Sequence, residues 1–356
     1  MQLRFAGVYS VLRDAIATHA FPGCAFGLVV DDQILLLDSL GHFTYDADSP
    51  AVQPNTLFDI ASLTKVVATT SVAMLLYQCA ILDLETPVGD VLPGFVIGRD
   101  PAQRGRYVTL RHLLAHSSGL PCYYPFFHIA DSPQSLMRHC LELPLHAEPG
   151  THAEYSDPGF ILFGKALETI ASQDLATFAH HQVFIPLEMD FTGFCPPQRV
   201  HHQIPPTERD ELFRQRTIQG EVQDEHAYIL RGVAGHAGLF SNVSDLLRFS
   251  TSILGSDPSQ RQLFHRETVE TFARRQPPSG STRALGWDTP SEESSAGKYF
   301  SPQSIGHLGY SGCSLWIDPE ARLAAVLLTN RTWPHRESQL IRTVRPAFHD
   351  ALRKSL

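Results

Sequence analysis

Ser62-Leu63-Thr64-Lys65 places a hydroxyl and an amine three residues apart, at the start of an apolar run with helical spacing that extends to Ala80. On a helix, positions i and i+3 share a face and reach each other by a hydrogen bond. A serine hydroxyl becomes a useful nucleophile when a neighbouring base takes its proton. A lysine set among Ile60, Ala61, Val66 and Val67 can be that base, because burial lowers an amine's pKa. The first helical turn also favours a developing oxyanion at the serine. The chemistry this pair points to is acyl transfer through a covalent acyl-serine. Context matters, since Ser295-Ala296-Gly297-Lys298 has the same spacing in a polar stretch with no helix behind it. Lys65 is one of only four lysines, with Lys165, Lys298 and Lys354.

Two further segments carry groups suited to the same reaction. Tyr155-Ser156-Asp157 lies between Pro149-Gly150 and Pro158-Gly159, so a turn on each side fixes a short segment. A phenol ionises near pH 10 and serves as a base only beside a cation such as Lys65. His307-Leu308-Gly309 opens a strand-like stretch that runs through Tyr310 and Cys313 to Ile317.

Taken in order, these three segments resemble the motifs of the serine β-lactamase and penicillin-binding-protein superfamily, in its class C and family VIII carboxylesterase branch. Leu110 to Pro121 is similar to a typical segment of that branch. Gly232 to Ser241, preceded by Asp224-Glu225, resembles a sub-branch that includes muropeptide amidases. The resemblance spans roughly residues 8 to 350. It implies Ser62 as nucleophile, with Lys65 and Tyr155 moving protons. It also implies an oxyanion hole from the backbone N–H groups of Ser62 and Tyr310, and a substrate-lining strand carrying His307 and Gly309. His116 and His236 read as structural groups that cap loops. A Gly-x-Ser-x-Gly elbow is absent, since Gly309-Tyr310-Ser311-Gly312-Cys313 fails at its last position.

Two positions depart from the β-lactamase pattern. Asp157 stands where that pattern has Asn, and His307 where it has Lys. Both changes remove help for an anionic substrate, and Asp157 should hold Lys65 more firmly protonated. A β-lactam or a D-Ala-D-Ala end carries a carboxylate, whereas a neutral ester does not. The expectation is therefore a carboxylesterase acting on small neutral esters, with at most weak β-lactamase activity. The alternatives are a cell-wall muropeptide amidase, a β-lactamase or D,D-carboxypeptidase, and a silent relative that only binds.

The elements that must position these groups fall into two sets. Cys24 to Val30 and Gln33 to Leu40 read as a strand hairpin turning at Asp31-Asp32, and Cys313 to Ile317 and Leu323 to Thr329 as a second pair. An amphipathic helix precedes the first pair, and a final helix spans about Glu337 to Arg353. Between them, Ser62 to Ala80, Thr109 to His116, Pro133 to Glu142, Pro158 to Ser172 and Leu175 to Val183 carry helical spacing. Gln198 to Gln223 and Gln276 to Lys298 read as loops. The expected fold class is α/β (α+β): an antiparallel sheet flanked by helices, with an inserted all-helical domain, of the β-lactamase/transpeptidase kind. The expected boundaries are 1–60 plus 240–356 for the α/β domain and 61–239 for the helical one, with the active site at the interface.

Composition excludes several classes. Lys plus Arg is 28 and Asp plus Glu is 37, a net charge of −9, which disfavours nucleic acid and anionic membranes as partners. No apolar run reaches membrane-spanning length. The first 23 residues lack the pattern of a signal peptide, so a cytoplasmic location is expected. The six cysteines are scattered without a Cys-x-x-Cys pair and read as reduced, mostly buried thiols. His180-His181 and His201-His202 lack i, i+4 spacing and a third ligand, so neither a metal nor any cofactor is expected. The expected partner is a small ester or amide substrate, and the oligomeric state is not encoded in any pattern.

Overall fold

The computed structural model describes residues 3–97, 105–255 and 262–356. The apolar runs at the front of the chain form β1 (Gly23–Val30) and β2 (Gln33–Gly41). Asp31 and Asp32 between them take φ of 47° and 63°, the left-handed pair that a two-residue hairpin turn requires. Near the other end come β3 (Ile305–Leu308), β4 (Ser314–Asp318) and β5 (Leu323–Thr329). The five strands make one antiparallel sheet in the order β2-β1-β5-β4-β3. Its centre joins the two ends of the chain, with Cys24 opposite Thr329 and Val30 opposite Leu323.

Five helices position this sheet and the site: α1 (Ala6–Ala17), α2 (Ser71–Gln78), α3 (Asp157–Ala171), α4 (Val243–Leu254) and α5 (Ile341–Lys354). Strand periodicity distributes β5 between two cores. Leu323, Ala325 and Leu327 face α1 and α5, while Ala324, Val326 and Leu328 face α4. Val8 and Leu12 of α1 and Phe348 and Leu352 of α5 close the first core. The second core is continuous with Val72 and Leu76 of α2 and Phe160 and Phe163 of α3, so one apolar body ties the sheet to the helical middle. α4 lies very near the sheet: a Cβ on Gly27 would come within 2.6 Å of Val243 Cγ1.

Several elements differ from the sequence reading. The helix expected from Ser62 to Ala80 is three pieces: a 3₁₀ turn at Ala61–Leu63, a π-helical stretch at Lys65–Thr70, and then α2. The Ser71 hydroxyl donates to Val66 O at 3.0 Å, five residues back, which suits the wider turn. β-Branched Val66, Val67, Thr69 and Thr70 crowd an ordinary α-helical turn. Leu175–Ala179 likewise passes into a π-helical turn at His180–Phe184. The stretch Gln198 to Gln223 is not all loop. It contains a 3₁₀ turn, Gln198–Gln203, and a hairpin of Glu208–Asp210 with Arg216–Ile218. Asp210 closes that hairpin by accepting from the N–H groups of Leu212, Phe213 and Arg214. The last helix starts at Ile341 rather than Glu337. Only half of the cysteines match the burial expected of them: Cys24, Cys140 and Cys313 are buried, and Cys79, Cys122 and Cys195 are exposed. No helix among the described residues is long and apolar enough to cross a membrane.

Candidate active site

Ser62 sits on a strained turn. Ala61, just before it, has φ of 47°, a left-handed conformation that costs a Cβ-bearing residue about 1–2 kcal/mol. Asp59 holds the turn. Its Oδ1 accepts from Ala61 N at 2.8 Å, its Oδ2 accepts from Gln223 N at 2.8 Å, and its carbonyl accepts from Ser311 Oγ at 2.7 Å. Burial pushes the Asp59 carboxyl up to about 6. The short strand Phe58–Asp59 pairs with Leu239–Ser241, which anchors the turn from the other side.

One turn on, Lys65 is 0% exposed, and its Nζ donates to three acceptors: Ser62 Oγ at 3.0 Å, Asp157 Oδ1 at 2.7 Å and His236 O at 3.0 Å. Three donors are the full complement of an ammonium. Burial pulls the Lys65 pKa down, but Asp157 and Tyr155 outweigh it and hold the group above the ordinary lysine value. Of the two opposing effects expected from the sequence, the apolar setting and Asp157, the second prevails.

The segment Gly232 to Ser241 clamps this helix. Besides His236 O on Lys65, Gly235 O accepts from Thr69 Oγ1 at 2.7 Å, and Leu239 N donates to Thr64 Oγ1 at 3.1 Å. Its approach to α3 is so close that a Cβ on Gly235 would lie 2.2 Å from Phe160 O. The glycines thus allow two backbones to cross.

Tyr155 arrives from a loop laid against Leu110 to Pro121. Glu154 N donates to His116 O at 2.8 Å, Ser156 N to His116 Nδ1 at 3.0 Å, Ser156 Oγ to Pro121 O at 2.8 Å and Asp157 N to Cys122 O at 3.0 Å. Ser156 also caps α3 by accepting from Gly159 N at 3.1 Å. His116 packs against Tyr155 at a tilt of 34°, 4.7 Å between ring centroids, and burial holds it well below the usual histidine value. This scaffold brings the Tyr155 hydroxyl to Ser62 Oγ, donating at 2.8 Å. Burial, only partly offset by Lys65, pushes the phenol up to about 12.

His307 lies on β3, 3% exposed, with its ring 5.9 Å from that of Tyr155. Its Nδ1 hydrogen-bonds Leu308 O at 2.8 Å, so that nitrogen carries the proton. Burial, with Lys65 and Arg283 nearby, holds His307 well below the usual histidine value, and the ring is neutral. Gly309 lines the same cavity, and its missing side chain also makes room for the nucleophile turn, because a Cβ there would stand 2.5 Å from Ile60 O. Tyr310, next in line, is 49% exposed, with the Arg331 guanidinium 4.4 Å from its ring centroid.

Ser62, Tyr155, Asp157, His307, Gly309 and Tyr310 open on one cavity of about 600 Å³. The cavity wall also contains groups that no motif announced: Arg283, Arg331, Arg336, Arg342 and Arg345. Arg336 is neutralised by Glu208 and Glu225. Arg331 and Arg345, by contrast, donate to backbone carbonyls: Tyr310, Arg336 and Ser338 for the first, Gly309, Gly312 and Cys313 for the second. Their spacing in sequence carries no signal, since β5 and α5 bring them together only in the fold. Ser295 and Lys298 lie away from this cavity, where Lys298 N donates to Asp350 at 2.6 Å.

The chain matches known proteins over nearly its whole length. The Beta-lactamase family model matches residues 9–346. A Salmonella typhi protein named "Putative D-alanyl-D-alanine carboxypeptidase" is 30% identical over 346 residues, covering 88% of this chain and 79% of that protein. Among solved structures, EstCE1, described as a hydrolase with promiscuous acyltransferase activity, superposes with a TM-score of 0.79 at 21% identity, covering 99% of both chains. A class C β-lactamase from Rhodobacter sphaeroides does so with a TM-score of 0.74 at 20% identity, covering 98% of this chain and 99% of that one. The chain belongs to the β-lactamase family and is a serine hydrolase of the β-lactamase and penicillin-binding-protein superfamily.

Proposed function

We propose that Ser62 is the nucleophile of an acyl-enzyme hydrolase whose favoured substrates are small neutral esters. The observation that carries this is the pair of hydrogen bonds converging on Ser62 Oγ, from Tyr155 at 2.8 Å and Lys65 at 3.0 Å. As Ser62 attacks the acyl carbon, its proton passes to Lys65 while Lys65 hands one to Asp157. Backbone N–H groups of Ser62 and Tyr310 receive the oxyanion. Tyr155 then protonates the leaving alkoxide, and the proton on Asp157 returns through Lys65 to restore the phenol. Water releases the acyl group by the same route in reverse. The site lies, on this reading, where residues 61–239 meet the α/β part formed by 1–60 and 240–356.

Neutral esters are favoured because the cation nearest Ser62 is spent on Asp157 and the histidine of β3 is uncharged. A second reading rests on Arg331 and Arg342 at the cavity wall. They would receive the carboxylate of a D-alanyl peptide, the class named for the Salmonella relative. Hydrolysis of p-nitrophenyl butyrate by wild type and Ser62→Ala, beside a D-alanyl-D-alanine peptide, a muramyl peptide and a chromogenic cephalosporin, separates these readings. Rapid ester turnover lost in Ser62→Ala supports the first. Preferred cleavage of the D-alanyl peptide, weakened in Arg331→Met, replaces it with the second. Preferred cleavage of the muramyl peptide installs the amidase alternative.

A further inference from the structure

We infer a divalent transition-metal site, of zinc type, formed by Asp224, His226 and His236. The three residues offer one carboxylate oxygen and two ring nitrogens, all within 4.8 Å of one another. His226 is 1% exposed, and neither of its ring nitrogens has a hydrogen-bond partner. His236 is also 1% exposed. Its Nε2 donates to Asp224 Oδ1 at 2.8 Å, and its Nδ1 is buried without a partner. Buried polar atoms are nearly always paired, so a His226 ring with no partner on either nitrogen, beside a second imidazole and a carboxylate, calls for a ligand.

The surroundings hold this cluster ready. Asp224 caps the short helix Glu225–Ile229 by accepting from Ala227 N at 2.7 Å, which fixes His226 two residues on. Tyr123 stacks on the His226 ring at 5.0 Å, and Phe126 meets it at 5.2 Å. Tetrahedral zinc with bonds near 2.0–2.1 Å needs ligand atoms about 3.4 Å apart, a closure within reach of side-chain rotation. Two imidazoles and one carboxylate suit zinc, cobalt or nickel, and suit magnesium or calcium poorly. Three protein ligands leave a fourth position. Asp224 also lines the cavity that holds Ser62, which sets the cluster beside substrate space. The link to Lys65 is direct, because His236 supplies both a ring nitrogen to the cluster and its carbonyl to Nζ. Asp224, His226 and His236 stand at no spacing that marks a metal motif, so the sequence does not reveal them.

The test is calorimetric titration of zinc into chelator-treated protein, with cobalt substitution read by visible absorption. The expected result is one zinc per chain and a tetrahedral cobalt spectrum, with affinity at least about 100-fold weaker in His226→Ala and in Asp224→Asn. Asp224→Asn keeps the helix cap and covers the case in which His226→Ala fails to fold. His180→Ala with His181→Ala, an exposed pair, serves as the control and should leave binding unchanged. Absence of saturable binding overturns the inference. So does binding that survives both cluster variants or is lost in the control.

Discussion

Lys65 Nζ stands 2.7 Å from Asp157 Oδ1, and this carboxylate outweighs burial in holding the lysine protonated. An amide at that position leaves a lysine governed by burial, whereas a carboxylate keeps it an ammonium. In the proposed mechanism Asp157 is the terminal proton acceptor, two hydrogen bonds away from Ser62.

Asp157→Asn should therefore lower kcat for p-nitrophenyl butyrate by about 100-fold, the usual scale of a lost acid–base partner, with KM little changed. Losing the anion also lowers the Lys65 pKa, so the variant's rate–pH profile should gain an alkaline break below any in wild type. Steady-state rates between pH 6 and 10 check both parts. An unchanged or faster kcat at neutral pH removes Asp157 from the relay.

Asp59 predicts an acidic limb. Its carboxyl titrates at about 6, pushed up by burial, and it must be ionised to accept from both Ala61 N and Gln223 N. Protonation turns one acceptor into a donor facing an N–H and loosens the turn before Ser62. Activity should fall below pH 6, and Asp59→Asn should abolish that limb while lowering the plateau. Stability runs the other way. A carboxyl whose folded pKa lies above its unfolded value of 3.8 binds protons more tightly when folded. Its destabilising contribution is therefore full above pH 6 and disappears toward pH 4. Activity and thermal stability measured on one pH series should diverge across that window.

The alkaline side is set by Tyr155 and Lys65. The phenol is held at about 12 in the fold and ionises near 10 when unfolded, so its contribution is lost progressively from pH 10 to 12. Lys65, raised above its ordinary value, contributes fully below that value and loses its contribution as pH climbs through the higher folded one. Melting temperature should stay level from pH 7 to about 9.5 and drop above 10, with a shallower drop in Tyr155→Phe.

Gly309 offers a steric test. A methyl group there would stand 2.5 Å from Ile60 O, forcing β3 away from the nucleophile turn. Gly309→Ala should cost about 1–3 kcal/mol of stability and at least tenfold in kcat. Gly193→Ala, where a Cβ meets nothing within 4 Å, should stay within about 0.5 kcal/mol of wild type. Denaturant unfolding and ester turnover on the two variants make the comparison.

Much of this site is written locally. Ser62 and Lys65 are neighbours on one turn, and Tyr155 and His307 sit in short segments bounded by proline and glycine, so residue type and order point to them. The strand hairpins are equally legible, because Asp31-Asp32 and alternating apolar residues specify them at short range. What stays hidden depends on distant partners. Motif order already links Lys65 to Asp157 across 92 residues, but the third acceptor of Nζ, His236 O, carries no signal in the sequence. Asp59 reads as an ordinary acid until Gln223 arrives. Arg331 and Arg345 reach the cavity only because β5 and α5 run beside it. The π-helical stretch at Lys65–Thr70 escapes because periodicity cannot distinguish one helical pitch from another over six residues.

The central strand of the sheet, Leu323–Thr329, follows Ser62, Lys65 and Tyr155 in the order of synthesis. A nascent chain has its serine, lysine and tyrosine long before it has the strand that joins the two ends of the sheet. The sheet therefore cannot close until β5 has emerged. A message cut short before β5 would yield an inert polypeptide rather than a weak or indiscriminate hydrolase.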